Sequence, residues 1–274
     1  VVFNEITLSK KYIMKNIFKI ILFVCTAGTI WSCEREIDLV NKVSTTEGSA
    51  FVKFVHASPN FRQVYKGADS FNVYMNNTKI SGSFLTYGLL YPTATNLYAA
   101  VPPGAQAIRL TVNGVLTPDS ITLAATNKSL EAGSYYSFII TDEAAGTNES
   151  RQMWLKDNFA LTDTSNFTIR FVHAVLNDPG AVDVYSFRRA SNIFTNISPA
   201  KATAFLSLPY DLATDTFYVR PTGTLTDIAK LTVSTGSPGA NTTNRGRAHT
   251  LLYRGHFGVT TGTKARSLTI FANN

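Results

Sequence analysis

Four histidines, His56, His173, His249 and His256, are the side chains best suited to hold a metal or move a proton near neutral pH. None stands two or four residues from another, and no acidic residue lies at a ligand-like offset from them. His56 and His173 each close a Phe-Val-His-Ala phrase, at 54–57 and 171–174. A duplicated position predicts a structural imidazole, bonded for instance to a loop carbonyl, ahead of catalysis or metal binding. An activated serine calls for a Gly-x-Ser-x-Gly turn, which is absent, as are a calcium loop and a phosphate loop. The acidic residues are scattered, and none occurs as Glu after residue 165. The expectation is a non-enzymatic chain with no catalytic residues, no metal and no cofactor.

The two cysteines carry a different chemistry. Met14-Lys15-Asn16 and Lys19 form a basic segment, and Ile20 to Trp31 follow without a charge. A membrane-spanning helix takes about 20 apolar residues, so this stretch has the length of a signal-peptide core instead. It ends Ile30-Trp31-Ser32-Cys33, which resembles a lipobox, the motif whose cysteine takes a diacylglycerol before cleavage. Residues 14–32 are therefore expected to be a lipoprotein signal peptide, with translation starting at Met14 and residues 1–13 a spurious extension. Cys25 leaves with the signal and Cys33 becomes the lipidated residue, so the mature chain has neither disulfide nor thiolate. Residues 33–49, opening Glu34-Arg35-Glu36-Ile37-Asp38, form an acidic tether. Such a linker spans on the order of 20 Å.

Two sets of residues remain for binding. Phe84 to Pro92 is dense in apolar and aromatic residues, and Tyr87, Tyr91 and Tyr98 are either a face on which pyranose rings stack or a buried strand with its turn. Charge is uneven: residues 166–274 hold 11 basic and 5 acidic groups, residues 50–158 only 8 and 7. Arg188, Arg189, Arg245, Arg247, Arg254, Lys264 and Arg266 concentrate the excess. Outside a cell this suggests an acidic glycan rather than nucleic acid, or else a plain solvated surface. Arg245, Arg247 and Arg254 are the candidate ligands if one face gathers them.

The elements that position these residues come twice. Phe51 to Ala57 recurs as Thr168 to Ala174, and Phe71-Asn72-Val73-Tyr74 as Val182-Asp183-Val184-Tyr185. Ile108 to Val112 answers Ala229 to Val233, and Gly133 to Phe138 answers Gly246 to Leu251. The copies run over 50–158 and 166–274, joined by the polar residues 161–165. Each piece alternates with period two: Val52, Phe54 and His56 share a face, with Lys53 opposite, and Ile169, Phe171 and His173 share one, with Arg170 opposite. Turn chemistry stands between them at Asn76-Asn77, Pro102-Pro103-Gly104, Asn113-Gly114, Ala132-Gly133, Pro221-Thr222-Gly223 and Ser237-Pro238-Gly239. The fold class read from this pattern is all-β, two tandem β-sandwich domains of immunoglobulin-like or transthyretin-like form after the signal peptide.

Phe-Val-His-Ala-Ser-Pro at 54–59, followed by Asp69 to Tyr74, resembles the opening of the bacterial family catalogued as domain of unknown function 4397. The second copy keeps His173-Ala174 and Ala181 to Tyr185 but replaces Ser-Pro with Val175-Leu176. The resemblance implies an extracellular β-sandwich repeat, often in lipoproteins, and no activity. The expected protein is an outer-membrane lipoprotein, periplasmic or surface-exposed, that binds or scaffolds at the envelope. Its expected partners are the membrane through Cys33, an acidic or neutral glycan and other envelope proteins, with no nucleic acid. A pilin-like or adhesin subunit is the alternative, and an envelope hydrolase a weaker one.

Overall fold

The computed structural model describes residues 48–65, 69–93, 98–112, 122–141, 152–159, 165–210, 214–235 and 242–273. Cys33, the signal segment and nearly all of the tether lie outside the described residues. So do the Asn113-Gly114 and Ser237-Pro238-Gly239 turns and residues 161–164 of the link.

Strands β1 (Ala50–His56), β2 (Ser70–Met75), β3 (Thr78–Lys79), β4 (Leu85–Thr86), β5 (Leu90–Tyr91), β6 (Ala99–Val101), β7 (Gly104–Val112), β8 (Thr122–Leu130), β9 (Tyr135–Ile140) and β10 (Met153–Lys156) build the first half, with a short helix α1 (Phe61–Tyr65). The second half follows as β11 (Asn166–His173), β12 (Val182–Ser186), β13 (Ser191–Ile197), β14 (Lys201–Ala202), β15 (Leu206–Pro209), β16 (Asp215–Pro221), β17 (Ala229–Thr235), β18 (Thr242–Thr243), β19 (Ala248–Arg254) and β20 (Ser267–Ala272).

These strands form four five-stranded sheets. The first inner sheet runs β10-β9-β1-β5, with β6 also on β1; the first outer sheet runs β3-β2-β7-β8, with β4 on β2. The second inner sheet runs β14-β11-β19-β20, with β15 on β11; the second outer sheet runs β13-β12-β16-β17-β18. Val52, Phe54 and Phe138 of the first inner sheet meet Phe71, Val73, Ile108 and Leu110 of its outer partner. Likewise Ile169, Phe171 and Leu251 meet Val182, Val184, Phe217 and Val219. The sequence reading of an all-β chain holds.

A third apolar cluster joins the other faces of the two inner sheets: Val55, Ala57, Ile139 and Met153 against Val172, Ala174, Leu252 and Phe271. Each inner sheet is thus covered on both sides. Its central pair is parallel, β1 with β9 and β11 with β19, placing Phe54 opposite Phe138 and Phe171 opposite Leu251. Strands covered on both faces lose the apolar-in, polar-out rhythm, which is why Tyr135 to Ile140 reads as a nearly unbroken apolar run.

Local chemistry accounts for the turns. Asn76 and Asn77 both take positive φ, 46° and 65°, in the tight hairpin that sets Met75 opposite Thr78. Asparagine tolerates this left-handed region, which two-residue hairpins require. Gly133 and Gly246 occupy matching places before β9 and β19, with φ of 73° and 61°.

One repeat correspondence read from the sequence is corrected. Ile108 to Val112 lies in β7, directly beside β2, whereas Ala229 to Val233 lies in β17, separated from β12 by β16. The strand that answers β7 is β16, and β17 holds the place of β8. Alternation identifies the face a side chain takes, not the neighbour its strand pairs with.

Candidate functional site

Lys53 and Arg170, read as lying opposite the core-facing residues, do so, but that side is not solvent. They are 0% and 2% exposed, enclosed between the inner sheets. Arg170 Nη1 lies 2.7 Å from Asp157 Oδ1, and its Nε donates to Thr250 Oγ1 at 2.9 Å. Thr250 donates to Asn273 Oδ1 at 2.7 Å, and Asn273 Nδ2 donates to the Tyr98 hydroxyl at 2.9 Å. The circuit closes where Tyr98 donates to Asp157 Oδ2 at 2.6 Å, beside the Ser137 hydroxyl at 2.7 Å. Lys53 donates to the Ala272 carbonyl and sits over the Tyr98 ring, 4.4 Å from its centroid. Burial pushes the Lys53 amine down to about 7, against the pull of Asp157. This cluster draws its members from both halves and is closed to substrate. It ties the two inner sheets together by side-chain bonds between distant segments, with Arg170 Nη2 left without a hydrogen-bond partner.

Three of the four histidines, His56, His173 and His249, are buried, whereas His256 lies in the loop after β19 beside Asn177. His56 lies 4.9 Å from both the Phe61 and Phe71 rings, and its Nδ1 accepts from Ser58 N–H at 3.3 Å. His173 lies 5.0 Å from the Tyr253 ring. Burial holds His56 at about 3, and His173 and His249 at about 4, so all three are neutral at physiological pH. His173 Nε2 stands 3.5 Å from Asp178 Oδ2, but a neutral imidazole makes no ion pair there. Asp178 pairs instead with Arg266 at 3.1 Å. Among the described residues no three His, Cys, Asp or Glu side chains converge as a metal site would need.

The residues proposed from sequence for binding do not come together. Arg245 and Arg247 precede β19 and Arg254 ends it. The seven-residue strand between them, at about 3.3 Å per residue, puts the backbones of Arg247 and Arg254 roughly 23 Å apart. Arg245 stacks on Tyr210, at 5.0 Å, and Arg254 on Tyr87, at 4.7 Å. The guanidinium of Arg254 also packs at 3.1 Å from where a Cβ on Gly88 would lie. Tyr91 packs against the first core, and Tyr98 belongs to the buried cluster. The three tyrosines therefore form no common platform.

A different face does. On the outer side of the second outer sheet, Tyr185 of β12 stands opposite Tyr218 of β16, and Tyr218 opposite Lys230 of β17. The Tyr185 and Tyr218 rings are 6.4 Å apart, and Phe187 lies 6.5 Å from Tyr218. Phe187 is 67% exposed. Arg220 stacks on Tyr185 at 4.1 Å while its Nε donates to Asp227 at 2.7 Å. Thr216 and Thr232 hydroxyls meet at 3.1 Å on the adjoining row. Asp183, on the same side, is buried and committed: it accepts from Asn196 N–H, Gly223 N–H, the Thr222 hydroxyl and Asn192 Nδ2. That fixes β13 and the turn at residues 221–223, so the aspartate of the Val-Asp-Val-Tyr phrase is a framework residue. The first half shows only Tyr74 with Arg109, 4.9 Å away, at the matching cross-strand pair. The signal was present in sequence: Tyr185 and Phe187 alternate with Val182, Val184 and Ser186, and Tyr218 and Arg220 with Phe217 and Val219. Aromatic rings on the side opposite the core call for an explanation.

The class this defines is an all-β protein of two sandwich cores fused face to face through a buried polar cluster, with an aromatic outer face on one of them. Residues 50–185 match the model of the family described as Domain of unknown function (DUF4397), and over that stretch the chain resembles that domain family. No curated protein matches the chain. Among solved structures, the Bacillus anthracis TIE protein aligns at 9% identity and a TM-score of 0.21, over 76% of this chain and 34% of its own. The chain thus spans about a third of that protein's length. A family 41 carbohydrate-binding module from streptococcal virulence factors aligns at 7% identity and a TM-score of 0.25, over 81% and 97% of the two chains. A family 26 module from Eubacterium rectale aligns at 8% and 0.23, over 81% and 96%.

Proposed function

We propose that this chain is a non-enzymatic, lipid-anchored envelope protein that binds glycan on the outer aromatic face of its second half. The observation that carries the reading is the set Tyr185, Tyr218 and Phe187, with the two tyrosines half-buried and Phe187 exposed beside them. A large apolar ring held open to water in the turn after β12 is an unusual cost unless something covers it, and a pyranose presents a flat C–H face of matching chemistry. Tyr185 and Tyr218 are held by β12 and β16, and Phe187 follows one residue past the end of β12. The carboxylates beside the face, Asp227 and Asp183, are already paired or committed, which suits binding better than hydrolysis. The lipobox ahead of the described residues supports a place at the outer membrane, with the two halves carried above it on the tether.

The test is affinity electrophoresis of the full chain through gels containing neutral or acidic polysaccharides. Migration should be retarded by at least one polymer, and Phe187→Ala with Tyr218→Ala should remove the retardation without altering the circular dichroism spectrum. Tyr74→Ala, on the opposite half, should leave it intact. A double variant retarded as strongly as the wild type would exclude this face.

A further inference from the structure

We infer that the saccharide taken by this face is anionic, a pyranose chain bearing carboxylate or sulfate, and that Lys230 reads its charge. The inference rests on the glycan reading above. Lys230 is exposed and stands directly across from Tyr218 in the ladder, so its side chain rises on the same side of the sheet as the ring on which a sugar would stack. Among the described residues no carboxylate pairs with it, whereas the other charges near the face are balanced. Asp227 holds Arg220, and Asp215 holds Arg189 at 2.7 Å while accepting from the Ser186 hydroxyl at 2.6 Å. Asp183 is occupied by β13 and the turn at residues 221–223. No unpaired described carboxylate therefore stands on the face to repel an anion, and one uncompensated cation attracts it. The surroundings point the same way: residues 166–274 hold 11 basic against 5 acidic groups, while residues 50–158 hold 8 against 7. A neutral glycan would leave the ammonium with water as its only partner. An acidic one gives it a charge-assisted hydrogen bond while the ring takes the sugar's apolar side.

The experiment measures binding of the full chain to polygalacturonate, dextran sulfate and unmodified dextran, for the wild type, Lys230→Gln, Lys230→Arg and Phe187→Ala. The wild type should bind one or both acidic polymers and not dextran. Lys230→Gln should weaken acidic binding about tenfold, the scale of one lost charge-assisted hydrogen bond, and Lys230→Arg should retain it. Phe187→Ala should weaken it too, since the ring and the cation act on the same residue of sugar. Equal binding of dextran, unchanged by Lys230→Gln, would overturn the charge assignment and leave the glycan reading standing. Acidic binding that survives Phe187→Ala would be general ion exchange and would overturn it as well. Binding of none of the three polymers would overturn it together with the glycan reading.

Discussion

Asp157→Asn removes the carboxylate that faces two buried cations, and the geometry sets what this costs. Tyr98 and Ser137 both donate to Oδ2, so the amide oxygen of an asparagine turned that way keeps those two bonds. The amide nitrogen then takes the place of Oδ1, donor against donor, 2.7 Å from Arg170 Nη1. The two side chains of that pair are 3% and 0% exposed, so water does not replace the lost partner. Breaking a buried ion pair on one side costs about 3–5 kcal/mol, a large part of a typical stability of roughly 5–15 kcal/mol. Urea denaturation should show the midpoint falling accordingly, with the circular dichroism spectrum unchanged before the transition. Combining Asp157→Asn with Arg170→Gln restores a donor–acceptor match between two amides. The double variant should therefore lose about 2 kcal/mol less than the sum of the single losses. The charge change also reaches Lys53: with Asp157 no longer raising it, the amine should titrate below its present value of about 7. A loss under about 1 kcal/mol in Asp157→Asn, or strict additivity in the double variant, would show that the cluster is hydrated and does not clasp the two halves.

Two further outcomes are expected. His56, His173 and His249 take protons in the unfolded chain near 6.5 but in the folded one only near 3, 4 and 4. Their folded values are lowered, so the stability they permit is full above about pH 6.5 and falls as pH drops towards 4. A tenfold difference in proton affinity between the folded and unfolded chain is worth about 1.4 kcal/mol. Lys53, lowered from 10.5 to about 7, makes stability rise over that higher range instead. Thermal melts from pH 8 to 4 should show a steep acid loss, and a flat profile would mean that the imidazoles are hydrated. Cys33→Ser should abolish acyl labelling and move the protein to the soluble fraction. Retention of that variant on carbonate-washed membranes would show that residues 14–32 act as a helical anchor.

Much of the fold was legible because local chemistry dictates it. Period-two alternation marked the strands, asparagine and glycine at positive φ marked the turns, and the repeated Phe-Val-His-Ala phrase placed matching central strands in each half. The duplication of His56 and His173 marked matching positions, and both are buried among aromatic rings. The site was far less legible. Tyr87, Tyr91 and Tyr98 are close in sequence, yet one stacks beneath Arg254, one packs on the core and one hydrogen-bonds inside the clasp. Arg247 stands just before β19 and Arg254 at its far end, so the strand between them keeps them apart.

What the sequence determined by itself is the face each strand residue takes, because that depends only on the pleat. It put Lys53 and Arg170 opposite the core, and Tyr185 and Tyr218 opposite the valines of their strands. What covers those opposite faces was decided by tertiary structure. The two inner sheets pack against each other and enclose Lys53 and Arg170, answered by Asp157, Thr250 and Asn273 from distant segments. The second outer sheet keeps its far side in water and leaves Phe187 there. Alternation is a property of one strand, whereas burial depends on which sheets meet, and only long-range contacts set that.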